Sequence, residues 1–240
     1  MSTPRRHRLR LVTARPLSPS VRELSFAAIG APPQYRAGQS MNLYVPSASG
    51  LVMRRPYSVA SAPNSHGRLD FAVTQVEGGP TSTTLHALMP GALIDGDGPN
   101  HGHLGRRDGE RDLPLLMVAT GSGLAPFRAL LQEELARPSG PPIGLLFGCR
   151  TEADILWRNE LAGWAATFAR FHLTVTLSRP CSKWRGPTGW VQRHVIGAAS
   201  TVAPALVLLC GLSPMTDAVE RLLQDAGVPS AAIRSEAFDR

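Results

Sequence analysis

A glycine-rich turn between an apolar run and a helical segment is the first stretch that could carry chemistry. It reads ATGSGLAPFRALL, residues 119–131, at the end of the apolar run LPLLMVAT. Gly121 and Gly123 let backbone N–H groups approach a phosphate, and a helix N-terminus adds favourable partial positive charge. Pro126 stands where the dinucleotide fingerprint GxGxxG has its third small residue, so the match is incomplete. The turn favours nucleotide binding; the alternative is a tight strand–helix connection without a ligand.

A second candidate lies in the first half of the chain, where Arg55, Pro56, Tyr57 and Ser58 follow one another on a predicted strand. An arginine pairs with phosphate oxygens, an aromatic ring stacks on a flat heterocycle, and a hydroxyl bonds to a heteroatom of that ring. Strand alternation places Arg55 and Tyr57 on one face and Ser58 on the other. The set suits a phosphorylated heterocyclic cofactor; the alternative is an ordinary strand with a surface arginine.

The elements that position these residues differ between the two halves of the chain. The first half contains short β-rich runs separated by Pro, Gly, Ser and Asn: RLRLVTARPL, VRELSFAA, MNLYVP, RPYSVAS and RLDFAVTQV. Such runs predict a small antiparallel barrel or sandwich, with one short helix at about residues 81–88.

From residue 113, after the polar stretch GDGPNHGHLGRRDGERD, apolar runs alternate with helical segments. The predicted strands are LPLLMVAT, IGLLFGCR, HLTVTLSR and ALVLLCG, and a last short strand precedes the terminal EAFDR. The predicted helices are PFRALLQEELA, ILWRNELAGWAAT, VQRHVIG and MTDAVERLLQDAG. This alternation predicts a C-terminal α/β domain with a parallel sheet. We expect domains at residues 1–108 and 109–240.

The balance of charge is basic, with a net charge of +7 from 25 Lys and Arg against 18 Asp and Glu. The basic residues are scattered and do not alternate with aromatic residues, so we do not expect a nucleic-acid platform. A positive surface speeds encounter with an acidic protein. The simplest interpretation is a solvated positive surface; the alternative, which we adopt as a hypothesis, is a landing site for an acidic electron-transfer protein as partner.

Cysteine spacing and hydropathy restrict the class further. Cys149, Cys181 and Cys210 form no CxxC pair and are too few for a four-cysteine iron–sulfur centre, so no metal site is expected. No apolar stretch approaches the roughly 20 residues that span a bilayer, and the basic N-terminus lacks the apolar core of a secretory signal. We expect a cytoplasmic protein that does not enter the membrane.

Six segments in a fixed order resemble the ferredoxin–NADP reductase superfamily: RPYSVAS, GGPTSTTL, ATGSGLAPF, FGCR, CGLSPM and the terminal EAF. The resemblance runs from YRAGQSMNLYVP to the last residues. It implies an N-terminal flavin-binding antiparallel β-barrel followed by a C-terminal Rossmann-like domain with a parallel sheet that binds NAD(P).

The resemblance also implies roles for residues of the first half. Arg55 meets the flavin pyrophosphate, Tyr57 stacks on the isoalloxazine ring, and Ser58 lies near the reactive N5 of that ring; Pro56 completes the motif. The flavin phosphates are held at a helix N-terminus, which is a favourable site for an anion. The residues implied there are Gly79, Ser82 and Thr83.

In the second half, the resemblance implies a site for the nicotinamide dinucleotide. Its residues are Thr120, Gly121, Gly123, Ala125, Pro126 and Phe127. Cys210 and Gly211 match the pair beside the nicotinamide ring, and Glu236 and Phe238 match C-terminal residues near the flavin. Ser58, Cys210 and Glu236 are the implied catalytic groups. Two alternatives stay open: Cys210 as a small buried hydrophobe and Phe238 as plain core closure.

The identity of both cofactors depends on two local sequences. GPNHGHL stands where much of the family has GPxGxF, so FAD is expected and FMN stays open. Ser178 and Arg179, with Lys183 and Arg185, are polar or basic, and a basic residue at the adenosine ribose favours a 2′-phosphate. NADPH is therefore expected rather than NADH.

Together these features predict a flavin-dependent NAD(P)H oxidoreductase that passes electrons to a separate acceptor, such as a ferredoxin feeding an oxygenase. One alternative is a reductase of free flavin, a quinone or another small acceptor. A second is a non-catalytic regulatory or nucleic-acid-binding protein that keeps the fold. A monomer is expected, and the direction of electron flow stays open.

Overall fold

The chain divides into two compact units, each with its own β-sheet. The computed structural model describes residues 6–46, 50–64, 66–100, 102 and 104–238. Unit 1 comprises residues 1–105 and 125–133, and unit 2 comprises residues 106–124 and 134–240. The sheet is antiparallel in unit 1 and parallel in unit 2, so the predicted fold class is confirmed.

The sheet of unit 1 has six strands in the order β4-β3-β6-β1-β2-β5. They are β1 (Arg6–Pro16), β2 (Val21–Ile29), β3 (Ser40–Pro46), β4 (Val52–Ser58), β5 (Arg68–Thr74) and β6 (Leu93–Asn100), with helix α1 (Pro80–Ala87) between β5 and β6. In β1, buried Leu9 and Leu11 alternate with exposed Arg8 and Arg10, because successive side chains point to opposite faces of a strand. This alternation directs the apolar side chains of the sheet into one core.

The two edge strands of this sheet approach each other. Immediately after β4, the backbone N–H of Ala60 donates to the carbonyl of Asp70 in β5 at 2.7 Å. Because β4 and β5 stand at opposite ends of the strand order, this bond draws the sheet toward a closed barrel.

Strand β6 is the one element of unit 1 that the sequence pattern misses. Its sequence, LIDGDGPN, contains two glycines, two aspartates and a proline, which are depleted in strands. The structure nevertheless places it between β3 and β1, with ladders on both sides. Its strand conformation depends on neighbours distant in sequence rather than on its own composition.

Unit 2 has five parallel strands in the order β11-β10-β7-β8-β9. They are β7 (Leu115–Thr120), β8 (Ile143–Cys149), β9 (Phe171–Leu177), β10 (Leu206–Gly211) and β11 (Ile233–Ala237). The helices are α2 (Leu124–Leu135), α3 (Arg158–Thr167), α4 (Val195–Val202) and α5 (Ser213–Asp225), and residues 125–133 of α2 are grouped with unit 1. The chain order reverses between β7 and β10, so their carboxyl ends open the crevice where such sheets bind ligands.

Two predicted helices differ from the observed ones. The helix predicted from residue 155 begins only at Arg158, because a 3-10 turn precedes it and Trp157 has a left-handed φ of 47°. The helix predicted at 191–197 is a 3-10 turn followed by α4. Within the part of the chain that the structure describes, no helix has the length and apolar character needed to cross a bilayer.

Candidate functional site

Strand β4 presents the Arg-Pro-Tyr-Ser motif at an edge of the sheet of unit 1. Tyr57 pairs with Met41 of β3 and packs, half-buried, against the barrel core. Burial raises the pKa of Tyr57 to about 12, although nearby Arg55 acts in the opposite direction, so the phenol is neutral at ordinary pH. Ser58 is buried, whereas Arg55 and Pro56 are exposed. The strand therefore offers a fixed aromatic ring beside an accessible cation.

Two adjacent arginines on β4 have different surroundings. Arg54 forms an ion pair with Asp97 of β6 at 3.2 Å between Nη2 and Oδ1. Arg55 Nη1 donates to the backbone carbonyl of Arg54 at 3.0 Å, and no carboxylate of the described residues pairs with it. The guanidinium of Arg55 is thus left for an external anion such as a phosphate.

The first turn of α1 lies beside β4, since the hydroxyl of Thr81 donates to the sulfur of Met53 at 3.3 Å. The hydroxyl of Ser82 accepts from the N–H of Val76 at 3.1 Å and donates to the carbonyl of Gly79 at 3.0 Å. The hydroxyl of Thr83 also donates to that carbonyl, at 2.9 Å. Because these hydroxyls bond back to the loop, the donors for an anion here are the backbone N–H groups of the first turn.

In unit 2, the glycine-rich turn folds against the end of β10. Gly121 has a φ of +54°, and a 3-10 turn from Gly121 to Gly123 leads into α2. A Cβ on Gly123 would stand 2.3 Å from the carbonyl oxygen of Cys210. Only glycine allows the turn to approach β10 this closely, so its position is fixed by packing.

The end of β10 lies at the crevice between β7 and β10. A Cβ on Gly211 would stand 2.4 Å from the hydroxyl oxygen of Thr120, so space is tight around this pair. Cys210 is fully buried, and burial together with the neighbouring Glu236 carboxylate raises the pKa of its thiol well above the ordinary value. The thiol stays neutral at ordinary pH and is a small buried group rather than a nucleophile.

Strand β11 brings the C-terminal residues to the same edge. Glu236 pairs with Cys210 in the ladder, and Cys210 pairs with Ala119 of β7. Just beyond the strand, the N–H of Phe238 donates to the carbonyl of Gly211 at 2.8 Å. The structure therefore assembles the predicted residues of three separate segments at one edge of the sheet: Thr120, Gly121, Gly123, Cys210, Gly211, Glu236 and Phe238.

The predicted ribose-binding residues lie further along this edge, after β9. The N–H of Ser178 donates to the carbonyl of Cys149 at 3.0 Å, and the N–H of Arg179 donates to that of Arg150 at 2.7 Å. The side chain of Arg179 is exposed. Since β9 lies two strands from β7, the carboxyl ends of these two strands are separated by two strand spacings, about 10 Å.

The acidic residue Asp97, which forms an ion pair with Arg54 of β4, is absent from the predicted site residues. The sequence carries no local signal for it, because its partners lie on other strands.

These residues fit a flavin and a nicotinamide dinucleotide. Unit 1 supplies the exposed guanidinium of Arg55, which has no carboxylate partner among the described residues, together with a half-buried aromatic ring and a helix N-terminus. Unit 2 supplies a glycine-lined turn at the crevice of a parallel sheet. Both sets are built from donors and flat apolar surfaces, which suit phosphates and heterocyclic rings.

Comparison with protein families agrees with a flavin site in the first half of the chain and a nicotinamide dinucleotide site in the second. A family described as an oxidoreductase FAD-binding domain matches residues 8–104, and one described as an oxidoreductase NAD-binding domain matches residues 117–221. Two solved structures share the fold: the cytochrome b5 reductase domain of Ulva prolifera nitrate reductase and a ferredoxin NADP+ reductase from Neisseria gonorrhoeae. Their TM-scores are 0.84 and 0.83 at 24% and 19% identity, each covering 98% of this chain and 98% or 99% of the other.

Curated relatives are similar over most of the sequence. Ferredoxin–NADP reductase B of Sorangium cellulosum is 44% identical over 239 residues, which cover 96% of each chain. The ferredoxin–NAD(+) reductase component of an alkene monooxygenase system of Xanthobacter autotrophicus is 32% identical over 243 residues, covering 98% of this chain and 71% of that protein. With the two family matches and the fold, these similarities show that the chain belongs to the ferredoxin–NADP reductase superfamily and is a flavoprotein oxidoreductase that uses FAD and NAD(P)H.

Proposed function

We propose that this enzyme passes electrons from NADPH through bound FAD to a separate acceptor protein, a ferredoxin that feeds an oxygenase. The observation that carries the proposal is the assembly of Thr120, Gly123, Cys210 and Glu236 at the crevice of the parallel sheet. The name of the Sorangium relative refers to ferredoxin and NADP, and that of the Xanthobacter relative places a ferredoxin reductase in a monooxygenase system. A cytoplasmic monomer with domains at residues 1–108 and 109–240 completes the proposal.

On the flavin side, Arg55 would neutralise the pyrophosphate and Tyr57 would stack on the ring. The α1 N-terminus at Gly79, Ser82 and Thr83 would hold phosphate oxygens through backbone N–H groups, since the Ser82 and Thr83 hydroxyls bond to the loop. Bound FAD supplies the conversion of a two-electron hydride donor into single electrons. Ser58, which is buried, would orient the reactive edge of the ring through its hydroxyl.

On the nicotinamide side, Gly121, Gly123 and Pro126 would carry the pyrophosphate at the start of α2. Cys210 and Gly211 would form a flat, uncharged contact for the nicotinamide ring, since the thiol stays protonated. Glu236 would bond to the carboxamide or hold a proton nearby, and Phe238 would cover a ring face. These are the roles that the family resemblance implies for the residues.

The nicotinamide chemistry can be tested directly. The purified protein should carry flavin absorbance, and saturating NADPH under anaerobic conditions should bleach it. The proposal fails if the bound flavin stays oxidised with both NADPH and NADH.

The acceptor needs a separate test, because a small acceptor would produce the same bleaching. Turnover with a two-iron ferredoxin should have a KM that rises steeply between low and high salt, because opposite charges steer the encounter. Faster, salt-independent turnover with free flavin or a quinone would favour a small physiological acceptor instead.

Selectivity for NADPH is proposed to depend on Arg179. Substituting Arg179→Gln should raise the KM for NADPH about tenfold and leave the KM for NADH unchanged, because only NADPH carries a 2′-phosphate on its adenosine ribose for the guanidinium to bind. Steady-state kinetics with both nucleotides give the comparison. The matched control is Arg185→Gln, since Arg185 bonds to the carbonyls of Ser182 and Trp184 in its own loop. Equal KM changes for both nucleotides would contradict the assignment.

Tyr57 and Ser58 should separate flavin binding from catalysis. Tyr57→Ala should weaken flavin retention by roughly tenfold or more, because stacking a heterocycle on an aromatic ring contributes about 1–3 kcal/mol. Ser58→Ala should keep the flavin but slow its reduction by NADPH roughly tenfold, the effect of losing one hydrogen bond. Flavin dissociation constants and single-turnover reduction rates measure the two effects.

Tyr35→Ala is the control for Tyr57→Ala, because Tyr35 also packs, half-buried, against the barrel core but lies outside β4. It should lower stability without changing the affinity for flavin. Full flavin occupancy and undiminished turnover in both Tyr57→Ala and Ser58→Ala would contradict the assignment of the flavin site to β4.

A further inference from the structure

A buried carboxylate holds three strands of unit 1 together behind the flavin motif. Asp97 of β6 is 3% exposed and accepts three hydrogen bonds. Its Oδ1 receives Asn42 Nδ2 at 2.7 Å and Arg54 Nη2 at 3.2 Å, and its Oδ2 receives the hydroxyl of Tyr44. Asn42 and Tyr44 belong to β3 and Arg54 to β4, so one side chain ties β6, β3 and β4 together. We call these four residues the Asp97 clamp.

The clamp acts on a strand at the edge of the sheet. Among the described residues, β4 has a ladder with β3 and none on its other side. Its side chains alternate, so Arg54 lies on the face opposite Arg55 and Tyr57. The ion pair of Arg54 with Asp97 is a second attachment of β4, reaching across β3 to β6. It attaches the strand on the face opposite Tyr57, and Arg55 on the Tyr57 face stays exposed.

The clamp also gives the two neighbouring arginines, Arg54 and Arg55, different partners. Burial opposes ionisation of Asp97, but the hydrogen bonds from Tyr44, Asn42 and Arg54 outweigh it and hold its pKa below the ordinary value. The bond to Asp97 in turn raises the pKa of Arg54. The pair therefore stays ionised at neutral pH. With Arg54 occupied, Arg55 is the cation of this motif that has no carboxylate partner among the described residues.

We propose that Asp97 is a positioning residue for the flavin, which acts by holding Arg54 so that β4 presents Arg55 and Tyr57 in fixed register. The proposal rests on the proposed binding of flavin at β4. Asp97 itself touches neither cofactor in this role; its effect passes through Arg54 and the strand.

The test compares three single variants of the full-length holoenzyme: Asp97→Asn, Arg54→Gln and, as a matched control, Asp95→Asn. Asp95 lies two residues away on β6 and pairs with Arg8 of β1, so its substitution removes the same charge without touching β4. Asp97→Asn and Arg54→Gln should each weaken flavin binding by roughly tenfold, since each removes a charge-assisted hydrogen bond that holds β4 in place. Asp95→Asn should leave the affinity unchanged.

A second readout separates positioning from loss of stability. The fluorescence of bound flavin is quenched by a stacked phenol, so it should rise in Asp97→Asn and Arg54→Gln even when the flavin site is saturated. Arg54→Lys, which keeps the charge at a half-exposed position, should restore most of the affinity and quenching. The double variant Asp97→Asn/Arg54→Gln should bind flavin no more weakly than the weaker single variant, because coupled residues are not additive.

Three results would overturn the inference. One is a lower melting temperature of Asp97→Asn with unchanged flavin affinity and fluorescence, which would make the clamp purely structural. Another is an additive double variant, which would show that Asp97 does not act through Arg54. The third is equal weakening by Asp95→Asn. If the wild-type protein itself retains no flavin, the proposed function fails, and this outcome is distinguishable because it does not depend on any variant.

Discussion

The Gly123→Ala variant is expected to melt roughly 2–12 °C below wild type and to bind NADP+ about tenfold or more weakly. The added methyl would stand 2.3 Å from the carbonyl oxygen and 2.7 Å from the carbonyl carbon of Cys210. Both are backbone atoms of a central strand, so neither can rotate away as a flexible side chain would. The turn must then move away from β10, and its backbone N–H groups no longer point toward the proposed position of the pyrophosphate. Thermal unfolding and calorimetric titration with NADP+ measure the two effects.

Gly163→Ala is the control, because Gly163 lies inside α3 and an added Cβ would meet nothing within 4 Å. It should stabilise the protein by about 0.5–1 kcal/mol and leave nucleotide affinity unchanged, since alanine loses less backbone entropy in a helix. A Gly123→Ala protein with wild-type melting temperature and affinity would show that the turn does not depend on this close approach.

The sequence predicts most of the fold because most strands carry their own pattern. The runs around β7 and β10 are continuously apolar, as strands covered on both faces must be, and β1 alternates leucine with arginine. β6 has neither pattern. Its place between β3 and β1 depends on ladders with residues far away in the chain, which no local window contains.

The residues of the candidate site likewise include some that the local sequence predicts and some that it does not. Two sets of site residues are contiguous in the sequence, Arg55 to Ser58 and Thr120 to Gly123. Their binding chemistry can therefore be predicted from a short stretch of sequence. The partners of the Asp97 clamp are separated by 43 residues between Arg54 and Asp97 and by 55 between Asn42 and Asp97. A second charged group, around Arg128, likewise joins residues 58 apart. Such pairs become visible only when the strand order is known.

Arg128→Met should lower the melting temperature by roughly 6–20 °C, because breaking a buried ion pair costs about 3–5 kcal/mol. Arg128 belongs to the segment of α2 that is grouped with unit 1, and its guanidinium pairs with Asp70 at 3.1 Å and with Glu23 at 3.7 Å. It also donates to the carbonyl of Ala60 at 3.0 Å. The side chains of Arg128 and Glu23 are less than a tenth exposed, so the substitution removes a buried cation from beside Glu23 and Asp70, although Glu23 keeps its ion pair with Arg15. Thermal unfolding of the full-length protein measures the loss.

Arg8→Met is the matched control, since Arg8 forms an ion pair of similar length with Asp95, at 3.0 Å, but its side chain is 53% exposed. Exposed pairs contribute about 0–1 kcal/mol, so its melting temperature should fall by no more than about 4 °C. Adding Glu23→Gln and Asp70→Asn to Arg128→Met should recover part of the loss, because neutral amides need no counter-charge. If Arg128→Met and Arg8→Met have the same melting temperature, burial does not determine how much the ion pairs of Arg128 contribute to stability. If the amides bring no recovery, the loss comes from packing around Arg128 and not from its charge.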